Sequence, residues 1–355
     1  MKRIFLFLLS ITAVCPAVAQ YAFSPELLGR FAAAYREGDP RAVRAAERVI
    51  AASGELLEME PMTVTSKKQL PPSGDRRDYM SLSPYWWPDR SKPDGLPYVR
   101  RDGERNPEVY DFPERENGDR LGYAARTLAV LYHVTGDERY AAKCAELLRT
   151  WFLDPEQGMN PNMTYAQLIR GRTTIRGTGI IDARRMCFAL NAASLIGNSP
   201  AWSDGDRAAL GKWARAFLYW LEHSVNGQKE LHASNNHGLW YDAIRLMTAQ
   251  AAGLGGRVRE IAEKSVKPRF AAQVAADGSL PEELERTLSL HYSTFVLEAL
   301  STARNMALPS GVDLWRMPEA QRVLEFLLPY YEKPDTWPYP QIKPFERRRG
   351  AALLY

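Results

Sequence analysis

Three short stretches carry residue types from which a proton-transfer site can be built. The first is Asn235-Asn236-His237-Gly238, just ahead of a helical pattern that runs to Ala252. An Asn-His pair at a helix start can bring two polar side chains and free backbone N–H groups to one spot. The same pattern also suits simple capping by an asparagine. The second is Glu283 to Tyr292, ELERTLSLHY. Arg286 and Tyr292 are six residues apart there. On a continuous helix that offset turns them about 240° away from each other. On a straight strand they share a face but lie roughly 20 Å apart. They can serve one substrate only if the chain bends between them, with Ser289 or Ser293 available to cap a new helix. Otherwise Arg286 pairs with a nearby Glu and Tyr292 is core. The third is Tyr85-Trp86-Trp87-Pro88-Asp89, whose paired aromatics can stack on sugar rings or plug a loop against helices. Just upstream, Arg76 and Arg77 could grip carboxylates in bidentate fashion, or be ordinary solvated charges.

Other chemistries find less support. The chain has no G-x-S-x-G elbow, no P-loop and no G-x-G-x-x-G fingerprint in a βαβ setting. A hydrolase with two carboxylates remains open, and Asp242 and Glu283 are its nearest candidates. Cys144 and Cys187 have no His or Cys at ligand spacing, so no metal site is expected. They could form one bridge or remain two buried thiols.

The elements that must position these residues are helical. The 355 residues could form one large domain or two. Helical patterns run over Glu26–Arg36, Arg41–Leu57, Arg120–Val134, a stretch from Asp137 to Phe152, Ile181–Leu195, Asp204–His223, Gly238–Ala252, Val258–Ala276, Tyr292–Met306 and Pro318–Tyr331. In the third of these, Leu121, Ala124, Ala125, Leu128, Leu131 and Tyr132 recur with helical period. Asp39-Pro40 has cap and first-turn character, Gly136 ends one helix and Asp137 caps the next. No alternating strand pattern stands out. Antiparallel helix pairs in series point to an all-α fold, an (α/α) toroid whose inner helices line a cleft. Two long stretches, Glu60–Glu116 and Asp154–Gly179, break the rhythm. They are rich in aromatics, including Tyr98, Tyr110 and Tyr165, as disordered tracts are not. They read as ordered loops over the cleft. Phe345 to Tyr355 reads as the opening turns of a further helix.

Met1-Lys2-Arg3, an apolar run from Ile4 to Cys15, and Ala17-Val18-Ala19 form a signal-peptide pattern cut after Ala19. Residues 1–19 are therefore expected to be removed and residues 20–355 to form one periplasmic or secreted unit, free of the membrane. The run is too short for a permanent span, and Val14 is too bulky for a lipoprotein site at Cys15. The net charge is +4, with pI near 8.8. A mildly basic chain suits an anionic substrate. Without basic runs or zinc-finger spacing, nucleic acid is not an expected partner.

Several separated motifs then converge on one family. They are Ser73–Asp89 (SGDRRDYMSLSPYWWPD), Arg149–Gln167 (RTWFLDPEQGMNPNMTYAQ), Gly177–Asp182 (GTGIID), Asn235–Asp242 (NNHGLWYD) and Glu285–Phe295 (ERTLSLHYSTF). In this order, from about Gly74 to Phe345, the chain resembles the alginate-lyase superfamily of polysaccharide lyases, especially families five and thirty-eight. The resemblance implies an (α/α) toroid, no nicotinamide or phosphate cofactor, and β-elimination on a uronate glycan such as alginate. It implies that Asn236 and His237 lie beside the substrate carboxylate, that Arg286 supports the same region, and that Tyr292 is the catalytic tyrosine. Tyr165 and Gln167 would line the cleft, with Trp86, Trp87 and Arg76 as further substrate contacts. Tyrosine ordinarily ionises near pH 10, so the reading requires Arg286 to pull Tyr292 down if it is to act as base as well as acid. For the epimeric uronate, His237 would be the base. The protein is expected to work as a monomer. A glycoside hydrolase on a similar toroid and a non-catalytic polyuronate-binding protein are the competing readings.

Overall fold

The computed structural model describes residues 24–173 and 176–346. The expected leader over residues 1–19 lies outside the described residues. So do residues 347–355 of the helix expected from Phe345, whereas Phe345 itself is non-helical and meets Tyr331 edge-on.

The chain opens with α1 (Pro25–Arg36) and α2 (Pro40–Ala51), then a short α3 (Gly54–Leu57). Asp39 caps α2 through the N–H groups of Arg41 and Ala42, and Pro40 follows it in the first turn. The first long loop carries β1 (Met80–Leu82), β2 (Trp86–Trp87) and β3 (Val99–Arg100). Then come α4 (Pro113–Thr135) and α5 (Glu138–Leu148), the latter extended by a π turn over Arg149–Leu153. The second long loop holds β4 (Tyr165–Leu168) and leads through a 3₁₀ turn, Thr178–Asp182, into α6 (Ala183–Leu195). The rest is α7 (Asp204–His223), α8 (Val225–Leu231), α9 (Asn236–Ala251), α10 (Gly255–Ile261), α11 (Lys267–Gln273), α12 (Pro281–Leu284), α13 (Ser289–Ala307) and α14 (Pro318–Glu332).

The helices α4, α6, α9 and α13 pack in that order, each on the next. Helix α5 lies against α4 and α6, and α7 and α10 lie against α9. This is the expected (α/α) toroid. The sequence explains the layering. Helix α9 is buried from Gly238 to Ala249 without a break, and α13 is nearly so. A helix apolar on every face must be covered all round. Helix α7 alternates buried Leu210, Trp213, Phe217 and Leu221 with exposed charge, as an outer helix should.

Two expectations need correcting and one open question closes. Helix α4 starts at Pro113, well before Arg120, because its first turns answer a polar need: Glu114 is fully buried and pairs with buried Lys67 at 2.9 Å. The loops are not strand-free. Met80 pairs with Tyr165 and Leu82 with Leu168, in parallel, so each long loop supplies one half of a two-stranded sheet. Neither half shows in local periodicity because its partner is remote. The cysteine question resolves to two free, buried thiols. Burial pushes both up, Cys187 to about 12, so neither is a ready nucleophile. Among the described residues no helix is long and apolar enough to cross a membrane.

Two inner helices approach closely at Gly122 of α4. A Cβ there would lie 2.8 Å from the Arg185 carbonyl carbon of α6. Ala outranks Gly in a helix by about 1 kcal/mol, but overpacking against backbone costs about 1–3 kcal/mol and should win. Gly122→Ala is expected to lower the calorimetric melting temperature. A value at or above wild type would show that α4 and α6 can separate freely.

Candidate active site

The chain does bend between Arg286 and Tyr292. Helix α12 ends at Leu284, and α13 begins at Ser289 after Leu288 adopts φ −125°, ψ 56°. The bend is pinned from two sides. Asp102, on the first long loop, accepts from the Thr287 hydroxyl at 3.1 Å and from Arg286 Nε and Nη2 at 3.1 and 2.8 Å. From the other side, Ser289 donates N–H and Oγ–H to the Pro340 carbonyl, and the Trp337 indole donates to Ser289 Oγ. Ser289 is thus spent on tertiary contacts and Ser293 is buried; neither caps α13.

At this bend Arg286 folds back so that its guanidinium carbon lies 3.7 Å from the Tyr292 ring centroid. It covers the face of the ring, and its fork is turned to Asp102. The Tyr292 hydroxyl donates to the Tyr85 hydroxyl at 3.0 Å. Burial pushes the Tyr292 phenol well above its usual range, and Tyr85 adds to the effect. Arg286 pulls the other way without offsetting it. The expected pull of Arg286 is present, and desolvation outweighs it. Burial would also raise Asp102, but the hydrogen bonds and charge of Arg286, joined by Arg100, hold its carboxyl well below the usual range.

At the start of α9 the competing roles of the two asparagines separate. Asn235 is the cap, accepting from His237 N–H at 3.1 Å. Asn236 and His237 are released for other work. His237 Nδ1 hydrogen-bonds Glu230 Oε1 at 2.7 Å. A carboxylate only accepts, so Nδ1 carries a proton, and in the neutral ring Nε2 holds the lone pair. Asn236 is buried; its N–H and Nδ2 both approach Glu283, at 2.7 Å to Oε1 for the N–H and 3.0 and 2.8 Å to Oε1 and Oε2 for Nδ2.

The two halves sit at one level. One turn on from His237, Trp240 meets Phe295, which is one turn on from Tyr292, with ring centroids 5.0 Å apart. Asn236, at the start of α9, also bonds Glu283, just ahead of α13, so the two helices run side by side in the same direction and His237 and Tyr292 both stand in first turns. Beside His237 opens a cleft of about 410 Å³, lined by Arg176, Thr178, Lys229, Glu230, Asn235 and His237 among others. Its lining carries two cations.

The other expected contacts divide. Trp86 is half-buried, with the Arg172 and Arg176 guanidinium carbons 4.7 and 5.7 Å from its ring centroid, so it borders the cleft through Arg176. Burial lowers Arg176 to about 10, which leaves it cationic at neutral pH. Trp87 turns its indole N–H to the Glu104 carbonyl and its ring to Arg101, serving the hairpin of β2 and β3. Gln167 is buried beneath the cleft; it has φ 53°, donates to Asp182 at 2.8 Å, and accepts from Arg176 through its carbonyl. Tyr165 is half-buried in β4. Arg76 is not brought to the site: its guanidinium serves the Thr65 and Lys67 carbonyls, 3.1 and 2.8 Å away. Sequence reasoning gave no role to Tyr85, Asp102, Arg176 or Glu230. Only Tyr85 carried a signal, as the first residue of the aromatic run.

A family model described as alginate lyase matches residues 63–337. The chain belongs to the alginate lyase family. It is accordingly a polysaccharide lyase. A crystal structure of an alginate lyase from Bacteroides ovatus is 34% identical, with a TM-score of 0.87 over 95% of this chain and 90% of that one. Two variants of alginate lyase A1-III, each complexed with a tetrasaccharide, share the fold at 15% and 14% identity. Their TM-scores are 0.57 and 0.53, over 96% and 90% of this chain and 84% and 79% of those. No curated protein matches significantly. For this member of the alginate lyase family, the fold and the family stand together.

The Asp102 clasp has a pH signature. Because the folded carboxyl is depressed, its stabilisation is complete above the ordinary aspartate value of about 3.9 and is lost as pH falls through the lower folded value. Asp102→Asn removes the ionic part at every pH. The variant should melt below wild type at neutral pH and lose less on acidification. Coincident melting curves across pH would remove the clasp from the argument.

Proposed function

We propose that this lyase cleaves a uronate-containing anionic glycan, alginate-like polymannuronate or polyguluronate or a glucuronan, by β-elimination. The observation that carries the reading is that His237, with Nδ1 on Glu230, and Tyr292, with its hydroxyl on Tyr85, stand in the first turns of two adjacent inner helices. The C5 proton of a uronate is α to its carboxylate. His237 Nε2 removes that proton, the electron pair forms the C4–C5 double bond, and the C4–O4 bond breaks. The Tyr292 hydroxyl delivers its proton to the departing O4. A neutral phenol suits this step because it has a proton to give. Tyr85 then holds the nascent phenolate by reversing its hydrogen bond. Asn236 is assigned to the substrate carboxylate, where charge builds in the transition state. Arg176 and Lys229, with Trp86 behind Arg176, would hold neighbouring uronates. Tyr165 and Gln167 support the floor.

A uronate whose C5 proton faces Tyr292 would need that residue as a phenolate first, a state that burial opposes. The hydrolase reading loses its named pair. Asp242 is fully buried between Arg245 and Arg269, at 3.0 and 2.7 Å, and Glu283 faces Asn236. We further propose that the Met1–Ala19 leader exports the chain and that residues 20–355 act as a monomeric unit.

The test is ultraviolet absorbance of unsaturated uronate over a panel of polyuronates of either C5 configuration. Wild type should generate the band, and Tyr292→Phe and His237→Ala should each lose about 10²–10⁴-fold in kcat. New reducing ends without the band would establish hydrolysis instead. Wild-type rates in Tyr292→Phe would end the role given to that residue.

A further inference from the structure

Asn236 is the residue whose hydrogen bonds do not match its task. It is 1% exposed. Its amide nitrogen faces Glu283, while its carbonyl oxygen is buried with no hydrogen-bond partner. An orphan buried acceptor is costly, about 1–3 kcal/mol, and an acceptor cannot meet a substrate carboxylate. The Nδ2 contact with Glu283 uses one N–H and leaves the other beside the unpaired oxygen; under the function proposed above, on which this inference rests, Asn236 should present donors there and not its oxygen.

Half a turn of the planar amide exchanges its oxygen and nitrogen with no change of shape. The oxygen then lies where the nitrogen is, within hydrogen-bond reach of both Glu283 oxygens. Two acceptors cannot share that contact unless one carries a proton. Glu283 Oε1 already accepts the Asn236 backbone N–H at 2.7 Å, so the proton belongs on Oε2. We propose that Glu283 works as a neutral carboxyl that donates Oε2–H to the Asn236 carbonyl, turning the Asn236 amide nitrogen outward to receive the substrate carboxylate. Glu283 is then a positioning residue that acts through Asn236.

The surroundings fit a neutral carboxyl. Glu283 is 1% exposed. Two groups could supply positive charge nearby, and each is already answered. Arg286, on the link to α13, is forked onto Asp102. His237, on α9, is held by Glu230 of α8. From α11, Gln273 reaches this region as an uncharged amide donating to the Asn235 carbonyl, and Arg269 is engaged by Asp242. Burial raises the Glu283 carboxyl against the lowering influence of the Asn236 donors. With the amide turned, the side-chain part of that influence disappears.

The test uses the isostere. Glu283→Gln keeps one acceptor for the Asn236 backbone N–H and one N–H donor for its side-chain carbonyl. It should retain kcat/KM close to wild type, whereas Glu283→Ala should lose about 10²-fold, the loss expected when one preorganised donor is misaimed. Infrared difference spectra between wild type and Glu283→Gln read the proton directly, whether or not the alanine variant folds. The wild type should show the C=O stretch of a neutral carboxyl at neutral pH, absent from Glu283→Gln and lost from wild type only on the alkaline side. A folded Glu283→Gln as inactive as the alanine variant, or a carboxylate band in place of the neutral one, would overturn the proposal. Failure of the wild type to form unsaturated uronate would instead strike the function proposed above, while the infrared band would still report on Glu283.

Discussion

The site depends on a break in one helix. Had the chain from Pro281 continued as a helix, Arg286 and Tyr292 would point apart by about 240°. Instead four residues, Glu285 to Leu288, turn the chain before α13 begins. Residues from the two ends of the chain hold that turn. Asp102 clasps Arg286 and Thr287, and the Trp337–Gln341 segment fastens Leu288 and Ser289. The toroid thus does more than supply walls. Its first long loop and the Trp337–Gln341 segment meet at the one place where the inner helix must be interrupted.

Burial and charge compete at each titratable group here, and the outcome differs by position. At Asp102 a bidentate guanidinium outweighs burial, and the carboxyl stays ionised. At Tyr292 the same guanidinium lies over the ring face, and burial prevails. One arginine therefore lowers both neighbours but prevails over burial at only one. Hydrogen bonds to a charged oxygen act directly, whereas a cation over a π face chiefly stabilises the ring as a surface. The consequence is a division of labour. In the proposed reaction Tyr292 enters with its proton, and His237, whose Nδ1 is held by Glu230, supplies the lone pair.

Much of the helical frame was legible because its signals are local. The cap at Asp39, the stop at Gly136 and the cap at Asp137 stand where the sequence puts them. The need for a bend before Tyr292 followed from spacing alone. Resemblance marked Asn236, His237, Arg286 and Tyr292, and the structure gathers them at the starts of α9 and α13. What the sequence could not show is pairing at a distance. Tyr85 and Tyr292 are 207 residues apart, and Asp102 and Arg286 are 184 apart. No periodicity links such pairs. Arg76 stays exposed, as its neighbours in sequence suggest, yet its guanidinium also donates to two backbone carbonyls that no periodicity points to.

The parallel direction of the inner helices adds a field to this arrangement. Helices α6, α9 and α13 follow Thr178–Asp182, Asn235 and Leu288 respectively, and Thr178, Asn235 and His237 line or border the cleft. Helix N-termini carry a partial positive charge of roughly half a unit and expose unpaired N–H groups. The starts of α6 and α9 meet at the cleft, and that of α13 lies level with α9. Outer helices return the chain, so their opposite dipoles lie a layer away. A toroid of this direction gathers positive ends beside Arg176 and Lys229 without crowding more cations into a half-buried space. That matters for an anionic chain. Fixed dipoles attract a carboxylate yet need no counter-ion of their own when the cleft is empty, whereas each added arginine would require a carboxylate such as Asp102 to hold it.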